Sequence, residues 1–352
     1  MKLIKKYTYY FLIPITFVYS TVIFLRNLFY EKKILLSKKL PCTVISIGNI
    51  TAGGTGKTPT VIFLCSLLKN NGYRVAVLSR GYLRKTKGTL LVSKGDGPLC
   101  KWEDSGDEAY MMAKILQSTP IVVDKNRYRG GRYIVDIFNP DIIILDDGFQ
   151  HRSLYRDLDI VLINGGDDIK DYKLLPTGKL REPWSNISRA NIVLITKKSP
   201  KENLMKKIKR SSLNIYKTKT ITFISTSSNQ TNNNESNDKN ILLVSGIGDP
   251  NYFVYTAKQL GYNILGHESF PDHFSYKNKN ILKIEEKAKK IGANHILTTE
   301  KDWVKLQNFD FTLSIIVLGI KLEIQKKKQL LNLLNHSPKS APYPKQKQHQ
   351  QK

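Results

Sequence analysis

The sequence has few cysteines and no clear sign of a cleaved leader. Its three cysteines, Cys42, Cys65 and Cys100, lie far apart, so neither a disulfide framework nor a zinc-binding pattern is indicated. This cysteine usage fits a reducing cytoplasm. No small-x-small cleavage site follows the apolar start of the chain, so we do not expect a secretory signal peptide.

Acidic residues are also scarce. The chain has 29 Asp and Glu against 56 Lys and Arg, which gives a formal net charge of +27. Such an excess indicates an anionic partner, which could be nucleic acid, a phosphorylated substrate or a membrane surface. No base-reading motif is present, so we do not expect nucleic acid. With 352 residues, the chain is long enough for two domains.

The N-terminal segment has no charged residue from position 7 to position 25. This length is close to the minimum for crossing a bilayer. Pro14, several tyrosines and the cations on both sides, such as Lys6 and Arg26, favour a helix that lies in the membrane interface. A membrane span and a buried core helix are the alternatives. For both membrane-associated arrangements, the rest of the chain is expected in the cytoplasm.

A glycine-rich stretch follows the first predicted strand and precedes a predicted helix. Residues 44–50 are mainly apolar, the loop reads Thr51-Ala52-Gly53-Gly54-Thr55-Gly56-Lys57-Thr58, and an apolar helical pattern begins at Thr60. Backbone N–H groups of such a loop converge on phosphate oxygens at a helix N-terminus. The strict G-x-x-x-x-G-K-[ST] pattern is not met, because its first position is Thr51. We nevertheless predict that Lys57 binds the β- and γ-phosphates and Thr58 binds Mg²⁺.

Further apolar runs predict a parallel sheet covered on both faces. Strands are expected at residues 73–79, 121–123, 141–145, 159–164 and 191–196, and helical segments separate several of them. A polar, Asn-rich stretch at 225–240 then predicts a surface loop or linker. Beyond it, residues 241–248 are expected to begin a new strand–loop–helix unit, and residues 295–302 and 314–318 are expected to be further strands, which predicts a second, smaller α/β domain.

Several polar residues lie where this pattern places ligand sites. Asp146 and Asp147 end a buried strand, the edge at which open α/β sheets bind ligands, so one of them is expected to hold Mg²⁺. A strand-terminating turn is the alternative. Asp107 and Glu108 begin a predicted helix with Asp104 or Ser105 as N-cap, where ordinary capping is an equal explanation. His273 follows Pro271 and Asp272 in a predicted loop and precedes an aromatic residue, which is consistent with a site residue. A structural role is the alternative.

Taken together, these motifs resemble the tetraacyldisaccharide 4′-kinase family of lipid A biosynthesis. The resemblance runs from Ile47 to Asp302 in order. It rests on the phosphate loop and on the stretches Leu78-Ser79-Arg80-Gly81-Tyr82, Gly106-Asp107-Glu108, Leu145-Asp146-Asp147-Gly148-Phe149-Gln150-His151-Arg152, Leu175-Pro176-Thr177-Gly178-Lys179-Leu180-Arg181-Glu182-Pro183, Gly246-Ile247-Gly248, Phe270-Pro271-Asp272-His273-Phe274 and Thr299-Glu300-Lys301-Asp302. The family's N-terminal membrane-associated helix also matches the apolar start here.

The resemblance implies an ATP- and Mg²⁺-dependent enzyme that phosphorylates the 4′-hydroxyl of an acylated glucosamine disaccharide 1-phosphate. Asp107 would be the general base, paired with His273 across a cleft that closes around ATP. The metal and its waters would be organised by Glu108, Asp146, Asp147 and Gln150, with Arg127 near the phosphates. The residues that meet the sugar headgroup would be Arg80, Tyr82, Arg181 and Glu182.

The predicted fold class is α/β, a P-loop NTPase-like parallel sheet domain with a second, smaller α/β domain and an N-terminal membrane-associated helix. The expected divisions are a membrane-anchoring helix at 1–36, a kinase domain at 37–214, a hinge and linker at 215–240, a smaller domain at 241–335 and a disordered basic tail at 336–352. We expect a monomer at the cytoplasmic face of the inner membrane, bound to its anionic surface and to the lipid A disaccharide 1-phosphate precursor.

The main alternative is a membrane-associated P-loop switch ATPase. Those proteins share a Gly-Gly-x-Gly-Lys-Thr loop but require a lysine directly before the two glycines. Ala52 occupies that position here, which argues against the alternative.

Overall fold

A computed structural model describes residues 2–211, 214–228 and 239–335. Most of the predicted Asn-rich insert and the predicted tail at 336–352 therefore lie outside the described residues. The strands are β1 Thr43–Asn49, β2 Val75–Ser79, β3 Leu90–Ser93, β4 Ile121–Val123, β5 Ile142–Asp146, β6 Leu158–Asn164, β7 Ile192–Thr196, β8 Ile215–Ser228, β9 Asn240–Ser245, β10 Asn263–Ser269, β11 His295–Thr299 and β12 Ser314–Ile324. The α-helices are α1 Lys2–Glu31, α2 Lys57–Lys69, α3 Trp102–Ser105, α4 Asp107–Ile115, α5 Arg127–Phe138, α6 Glu202–Lys209, α7 Pro250–Gln259, α8 Asn278–Lys290, α9 Glu300–Leu306 and α10 Lys327–Asn335.

The described strands form one sheet in the order β10-β9-β11-β12-β8-β7-β6-β1-β5-β2-β4-β3. All neighbours are parallel except β3 with β4 and β8 with β12. The predicted α/β class and the mainly parallel sheet are confirmed. Because the strands are parallel, the carboxyl ends of β1, β2 and β5 lie at one edge, where the loops that follow them meet.

The apolar strand residues alternate between two helix-covered faces. On one face, Ile45 and Ile144 belong to a buried cluster with Leu64 of α2. On the other face, Val44 and Ile143 belong to a buried cluster with Ile134 of α5. Strands that are buried on both faces read as continuous apolar runs, which explains why the sequence made them easy to recognise.

The segment expected to be a hinge and linker, 215–240, is a long strand over its described part. The first residues of β8 pair with β7, beginning at Ile215 opposite Val193. Farther along, β8 pairs with β12, from Thr218 opposite Ile324 to Ser228 opposite Ile315. This strand therefore joins the two halves of the sheet through backbone hydrogen bonds, which a flexible linker would not make.

The C-terminal half also returns to the first half. Leu330 and Leu334 of α10 pack in the same buried cluster as Leu64 and Ile144. The expected smaller domain, 241–335, thus contributes its last helix to the core of the other half. The division into two domains remains a prediction, with β8 and α10 as the segments that connect its parts.

The start of α4 differs from the expectation. Neither Asp104 nor Ser105 caps this helix, because both lie in the short helix α3. Gly106 separates the two helices with φ +89° and ψ 147°. Glycine reaches this conformation without strain, and it turns the chain so that Asp107 is the first residue of α4.

The N-terminal helix α1 lies on the surface, so the buried-core alternative is wrong. Its part from Phe11 to Glu31 is long and apolar enough to cross a membrane, and only 11% of its most apolar window is buried. One face is attached to the body, since the Tyr19 hydroxyl donates to the carbonyl of Arg181 at 2.7 Å. Large apolar side chains on the rest of the helix, including Phe11, Phe17 and Phe24, are exposed.

Candidate active site

The glycine-rich loop joins β1 to α2 and is held by hydrogen bonds from the last residues of β1 and β7. Gly53 and Gly56 have φ values of +103° and +85°, and an added Cβ would meet nothing within 4 Å at either position. Backbone conformation rather than space therefore requires glycine there. The carbonyl of Thr55 accepts a hydrogen bond from the Thr196 hydroxyl at 2.8 Å, and its hydroxyl accepts one from the Asn49 amide at 3.0 Å.

A cleft of about 560 Å³ opens at this edge of the sheet. We call it the central cleft and define it by Lys57, Thr58, Asp146, Asp147, His273 and Lys301, which are among its lining residues. The first four come from the N-terminal half of the chain and the last two from the C-terminal half. The cleft thus collects the phosphate loop, two carboxylates and two further polar groups in one place.

Asp146 is buried at the end of β5 and incompletely paired. Its Oδ2 accepts a hydrogen bond from the Ser79 hydroxyl at 2.9 Å, whereas its Oδ1 is buried and has no hydrogen-bond partner among the described residues. Burial and the nearby charges of Glu108 and Asp147 raise its pKa to about 7. An unpaired buried carboxylate oxygen beside two other carboxylates favours a bound cation.

Asp147 has opposite surroundings although it is the next residue. Its Oδ1 lies 3.6 Å from Lys57 Nζ and 3.0 Å from an Arg181 guanidinium nitrogen. Burial alone would raise the pKa of Asp147, but the charges of Lys57 and Arg181 outweigh it and lower the pKa. Asp147 therefore serves in this conformation as the counter-ion of the phosphate-loop lysine.

The oxygen atoms of Asp146, Glu108 and Thr58 are suitable ligands for a magnesium ion that also binds a nucleotide. Carboxylate and hydroxyl oxygens are hard ligands, and Mg²⁺ commonly takes one or two from protein and the rest from phosphates and water. Within the described ranges, no group of three His, Cys, Asp or Glu side chains is arranged to hold a metal ion unaided. Asp146, Glu108 and Thr58 would thus form part of a shared site.

Asp107 and His273 meet across the two halves of the chain. His273 Nδ1 lies 3.0 Å from both carboxylate oxygens of Asp107. Lys305 Nζ lies 3.2 Å from Oδ2 of the same carboxylate. Burial would raise the pKa of Asp107, but the His273 hydrogen bond and the charges of Lys301 and Lys305 outweigh it and lower the pKa well below its usual range.

Lys301 lies between His273 and the carboxylates of Glu108 and Asp272. Its Nζ lies 3.0 Å from Asp272, 3.2 Å from Glu108 and 3.3 Å from His273 Nε2. Burial would lower the pKa of Lys301, but the charges of Glu108, Asp107 and Asp272 outweigh it and raise the pKa. An ammonium beside Nε2 disfavours a proton there, which is consistent with Nδ1–H donating to Asp107.

Comparison with known proteins identifies relatives of this chain. The family described as tetraacyldisaccharide-1-P 4'-kinase, LpxK, matches residues 8–338. The chain belongs to this family. The tetraacyldisaccharide 4'-kinase of Aquifex aeolicus is 37% identical over 325 residues, which cover 92% of this chain and 97% of that protein. That of Desulfotalea psychrophila is 34% identical over 307 residues, covering 84% and 87%.

A solved structure agrees with this family membership. The crystal structure of LpxK from Aquifex aeolicus in complex with ATP has a TM-score of 0.71 and 34% sequence identity, and covers 93% of this chain and 98% of that chain. The predicted family, kinase class and ATP dependence are confirmed, and the switch ATPase is not favoured. The assignment of individual site residues remains a prediction.

The structure brings most of the predicted residues of this kinase site together. Gly53, Gly54, Thr55, Gly56, Lys57, Thr58, Arg80, Tyr82, Glu108, Asp146, Asp147, Arg181 and His273 line the central cleft. Asp107 lies directly behind His273. The Tyr82 ring packs against the His273 ring with centroids 5.0 Å apart. The predicted nucleotide, metal and headgroup residues in this set are therefore neighbours in space.

Glu182 is placed differently from the prediction that it meets the headgroup. Its side chain is fully buried and forms ion pairs with Arg26 at 3.3 Å and with Arg189 at 2.6 Å. It also accepts a hydrogen bond from Asn27. Because Arg26 and Asn27 belong to α1, Glu182 holds the N-terminal helix on the body and does not face the cleft.

Four other predicted residues are engaged elsewhere in this conformation. Gln150 donates its amide to the carbonyl of Asn49 at 2.9 Å. Arg127 is 3% exposed, its guanidinium donates to the carbonyl of Asp124, and burial lowers its pKa to about 10. The backbone N–H of Ala52 donates to Lys179. Thr51 is buried and pairs with Leu180. None of these four residues lines the central cleft.

Sequence reasoning gave no role to Lys301 and Lys305. Lys301 lies in a stretch that carried the family resemblance, and this was the available signal. The run 295–302 was expected to be a strand, but β11 ends at Thr299 and Lys301 lies in the first turn of α9. Lys305 carries no such signal, because a lysine within Trp303-Val304-Lys305-Leu306 reads as an ordinary helix residue. Its burial follows from the packing of α9 on α4.

Proposed function

We propose that this chain transfers the γ-phosphate of ATP to the 4′-hydroxyl of an acylated glucosamine disaccharide 1-phosphate, with Asp107 as the general base. The observation that carries the proposal is the meeting of the Asp107–His273 pair with the phosphate loop in one cleft. A kinase needs a phosphate-binding loop and a group that aligns the acceptor hydroxyl. The loop lines the central cleft and Asp107 lies beside it, in contact with the cleft residue His273 of the C-terminal half.

The phosphate loop and Lys57 would hold the nucleotide. In the described conformation Lys57 faces Asp147 at 3.6 Å, and an incoming γ-phosphate would compete for the same ammonium. The left-handed Gly56 places the loop at the start of α2, where backbone N–H groups have no intrahelical partner. Thr58, Asp146 and Glu108 would hold Mg²⁺, which neutralises charge on the phosphates when bound.

Asp107 would align the hydroxyl rather than act as a strong base. Its lowered pKa makes it a weak proton acceptor, but phosphoryl transfer proceeds through a loose transition state that requires little basicity. Its carboxylate is fixed by His273, so that a hydroxyl bound to it would be presented at a defined position. The proton would pass to Asp107 as the new P–O bond forms, while the bond from the γ-phosphorus to the β–γ bridging oxygen breaks and ADP leaves.

The sugar headgroup would meet the remaining basic and aromatic residues of the cleft. Arg80 and Tyr82 are on the loop after β2, and Tyr82 is 54% exposed beside His273. Arg181 joins the cleft to α1, because its carbonyl accepts from Tyr19. A substrate held by its acyl chains at α1 would therefore reach the cleft beside Arg181.

The N-terminal helix would place the enzyme at the cytoplasmic face of the inner membrane. Its exposed apolar side chains, among them Phe17 and Phe24, would enter the lipid, and the net charge of +27 would favour the anionic surface. A single chain supplies both halves of the cleft, so a monomer suffices. Closure of the halves around ATP would exclude water.

Replacement of Asp107 by Asn tests the role of the base. We expect kcat to fall by roughly 10² to 10⁴, because the amide cannot accept the hydroxyl proton. The KM for ATP is expected to stay near the wild-type value, since Asp107 does not line the nucleotide loop. Asp104→Asn is a matched control, because it removes an acidic residue from the neighbouring helix α3. A wild-type kcat for Asp107→Asn would remove Asp107 from the reaction.

A further inference from the structure

Lys305 is a buried lysine next to the proposed base. Its side chain is 1% exposed and does not line the central cleft. The Nζ lies 3.2 Å from Asp107 Oδ2 and 3.7 Å from Asp302 Oδ1. The ammonium also lies 5.9 Å from the centre of the Tyr276 ring. Lys305 thus contacts Asp107 within the buried interface of α4 and α9 and not through the central cleft.

Burial of the Lys305 ammonium carries an energetic cost that needs an explanation. Removing an ammonium from water costs several kcal/mol, and an ion pair offsets this only where the geometry is good. An apolar residue of similar volume would often be at least as stabilising at such a position. The charge of Lys305 is therefore poorly explained by packing alone, and its closest charged partner is the carboxylate of Asp107.

Asp302 fixes the other side of the ammonium. This residue is fully buried and accepts hydrogen bonds from the Gly246 N–H at 3.0 Å, the Thr299 hydroxyl at 2.8 Å and the Tyr276 hydroxyl at 3.1 Å. Its position is thus determined within the C-terminal half, independently of Asp107. Because Lys305 lies between the two carboxylates, it transmits that position to Asp107.

Two contacts then define the orientation of the Asp107 carboxylate. His273 Nδ1 lies 3.0 Å from both oxygens, so this contact holds the carboxylate but does not distinguish one oxygen from the other. The backbone N–H of Glu108 donates to Oδ1 at 2.9 Å, and Lys305 contacts Oδ2. Lys305 is therefore the described contact that distinguishes Oδ2 from Oδ1 on the buried side.

We propose that Lys305 is a positioning residue of the kinase, which holds the Asp107 carboxylate in the orientation needed to align the acceptor hydroxyl. The inference rests on the proposed role of Asp107 as base. Lys305 touches neither nucleotide loop nor cleft, so it acts through Asp107. It also links the correct orientation of the base to the docking of α9 on α4.

A second lysine at the same interface provides a matched control. Lys114 of α4 forms a hydrogen bond with Gln307 at the end of α9. It therefore bridges the same two helices without touching Asp107 or the cleft. Lys305→Met and Lys114→Met each remove one lysine contact between α4 and α9, and only the first removes a contact to the base.

Steady-state kinetics of these variants test the proposal. We expect Lys305→Met to lower kcat by about 100-fold, the effect of a small displacement of a catalytic group, with little change in the KM for ATP. Lys114→Met is expected to change kcat by less than about twofold. A Lys305→Met enzyme that binds ATP normally and keeps its kcat would overturn the inference.

A double-mutant cycle separates positioning from a general structural effect. In the Asp107→Asn background, adding Lys305→Met is expected to change kcat by less than about twofold, because the group through which Lys305 acts is already absent. The double variant also removes the Asp107 charge together with that of Lys305, while Asp302 keeps its three hydrogen bonds, so it remains informative if Lys305→Met alone does not fold. A further large loss of kcat in the double variant would contradict the proposal.

The same set of variants distinguishes the two proposals. A loss of kcat in Asp107→Asn together with a normal Lys305→Met enzyme would leave the proposed base in place and overturn only the role of Lys305. A normal Asp107→Asn enzyme would overturn the base. A loss confined to Lys305→Met would then show that Lys305 does not act through Asp107.

Discussion

The adjacent residues Asp146 and Asp147 are expected to affect stability in opposite directions. Asp146 has an unpaired buried oxygen and a pKa raised to about 7, whereas Asp147 faces Lys57 and Arg181 and has a lowered pKa. In the absence of Mg²⁺ and nucleotide, Asp146→Asn should stabilise the protein, and Asp147→Asn should destabilise it. The two variants have the same change in composition and net charge.

The sign and size for Asp146 follow from proton linkage. A folded-state pKa above the unfolded value means that the folded protein binds the proton more tightly, so its contribution to stability is lost as pH rises from about 4 to about 7. The difference between 3.8 and about 7 corresponds to about 4 kcal/mol at most. Asn has no such charge and keeps an acceptor for Ser79, so the gain should appear at pH 8 and vanish near pH 4.

Asp147 gives the opposite sign with a smaller size. Its lowered pKa means that the ionised carboxylate stabilises the fold at neutral pH and loses this effect as pH falls through the lowered folded-state pKa. Because the Asp147 side chain is 34% exposed, solvent screens its pairs. We therefore expect Asp147→Asn to lower the free energy of unfolding by about 1 kcal/mol.

Urea unfolding at pH 8 with a metal chelator measures both effects. Repeating it with Mg²⁺ and a non-hydrolysable ATP analogue adds a second readout, since ligand that binds only the folded state stabilises it. The wild type should gain stability from this addition, and Asp146→Asn should gain much less. Destabilisation of Asp146→Asn at pH 8 without ligand would refute the assignment of Asp146 as an unsatisfied cation ligand.

Two further predictions concern the helix anchor and the phosphate loop. Glu182→Gln should lower the free energy of unfolding by about 2 kcal/mol, because it leaves the half-buried Arg26 and Arg189 with a neutral partner, and should speed proteolysis after α1 without changing the KM for ATP. Gly56→Ala should lose about 1 to 2 kcal/mol of stability from its left-handed backbone and should raise the KM for ATP. Gly72→Ala, which has the same φ of +85° but lies outside the cleft, should lose similar stability with an unchanged KM. An equal rise in KM for both glycine variants, or an intact α1 in Glu182→Gln, would contradict these expectations.

Local sequence patterns were sufficient for the parts of the site that lie at strand and helix ends. The phosphate loop and Asp146 were predicted because a buried parallel strand reads as an apolar run and its end marks the binding edge of the sheet. The pairing of Asp107 with His273 was available only through the family resemblance. The two residues are 166 positions apart, and nothing in the residues between them specifies the contact.

Long-range packing explains what the sequence did not reveal. The polar composition before residue 240 suggested a linker, but Ile215–Ser228 is a strand because β7 and β12 satisfy its backbone. Glu182 was predicted to contact the headgroup because it lies in a stretch that resembles the family. Its ion-pair partner Arg26 lies on α1, far from it in the sequence. Lys305 looks like a surface lysine in its own helix, and only the docking of α9 on α4 buries it.

The most direct test is the destination of the γ-phosphate. The purified enzyme is incubated with γ-labelled ATP, Mg²⁺ and an acylated glucosamine disaccharide 1-phosphate, and the labelled position on the lipid is determined, with Lys57→Ala as the control. The account predicts label on the 4′-oxygen with the wild type and none with Lys57→Ala, because the γ-phosphate loses its cation. Label released only as inorganic phosphate, or equal lipid labelling by Lys57→Ala, would contradict it.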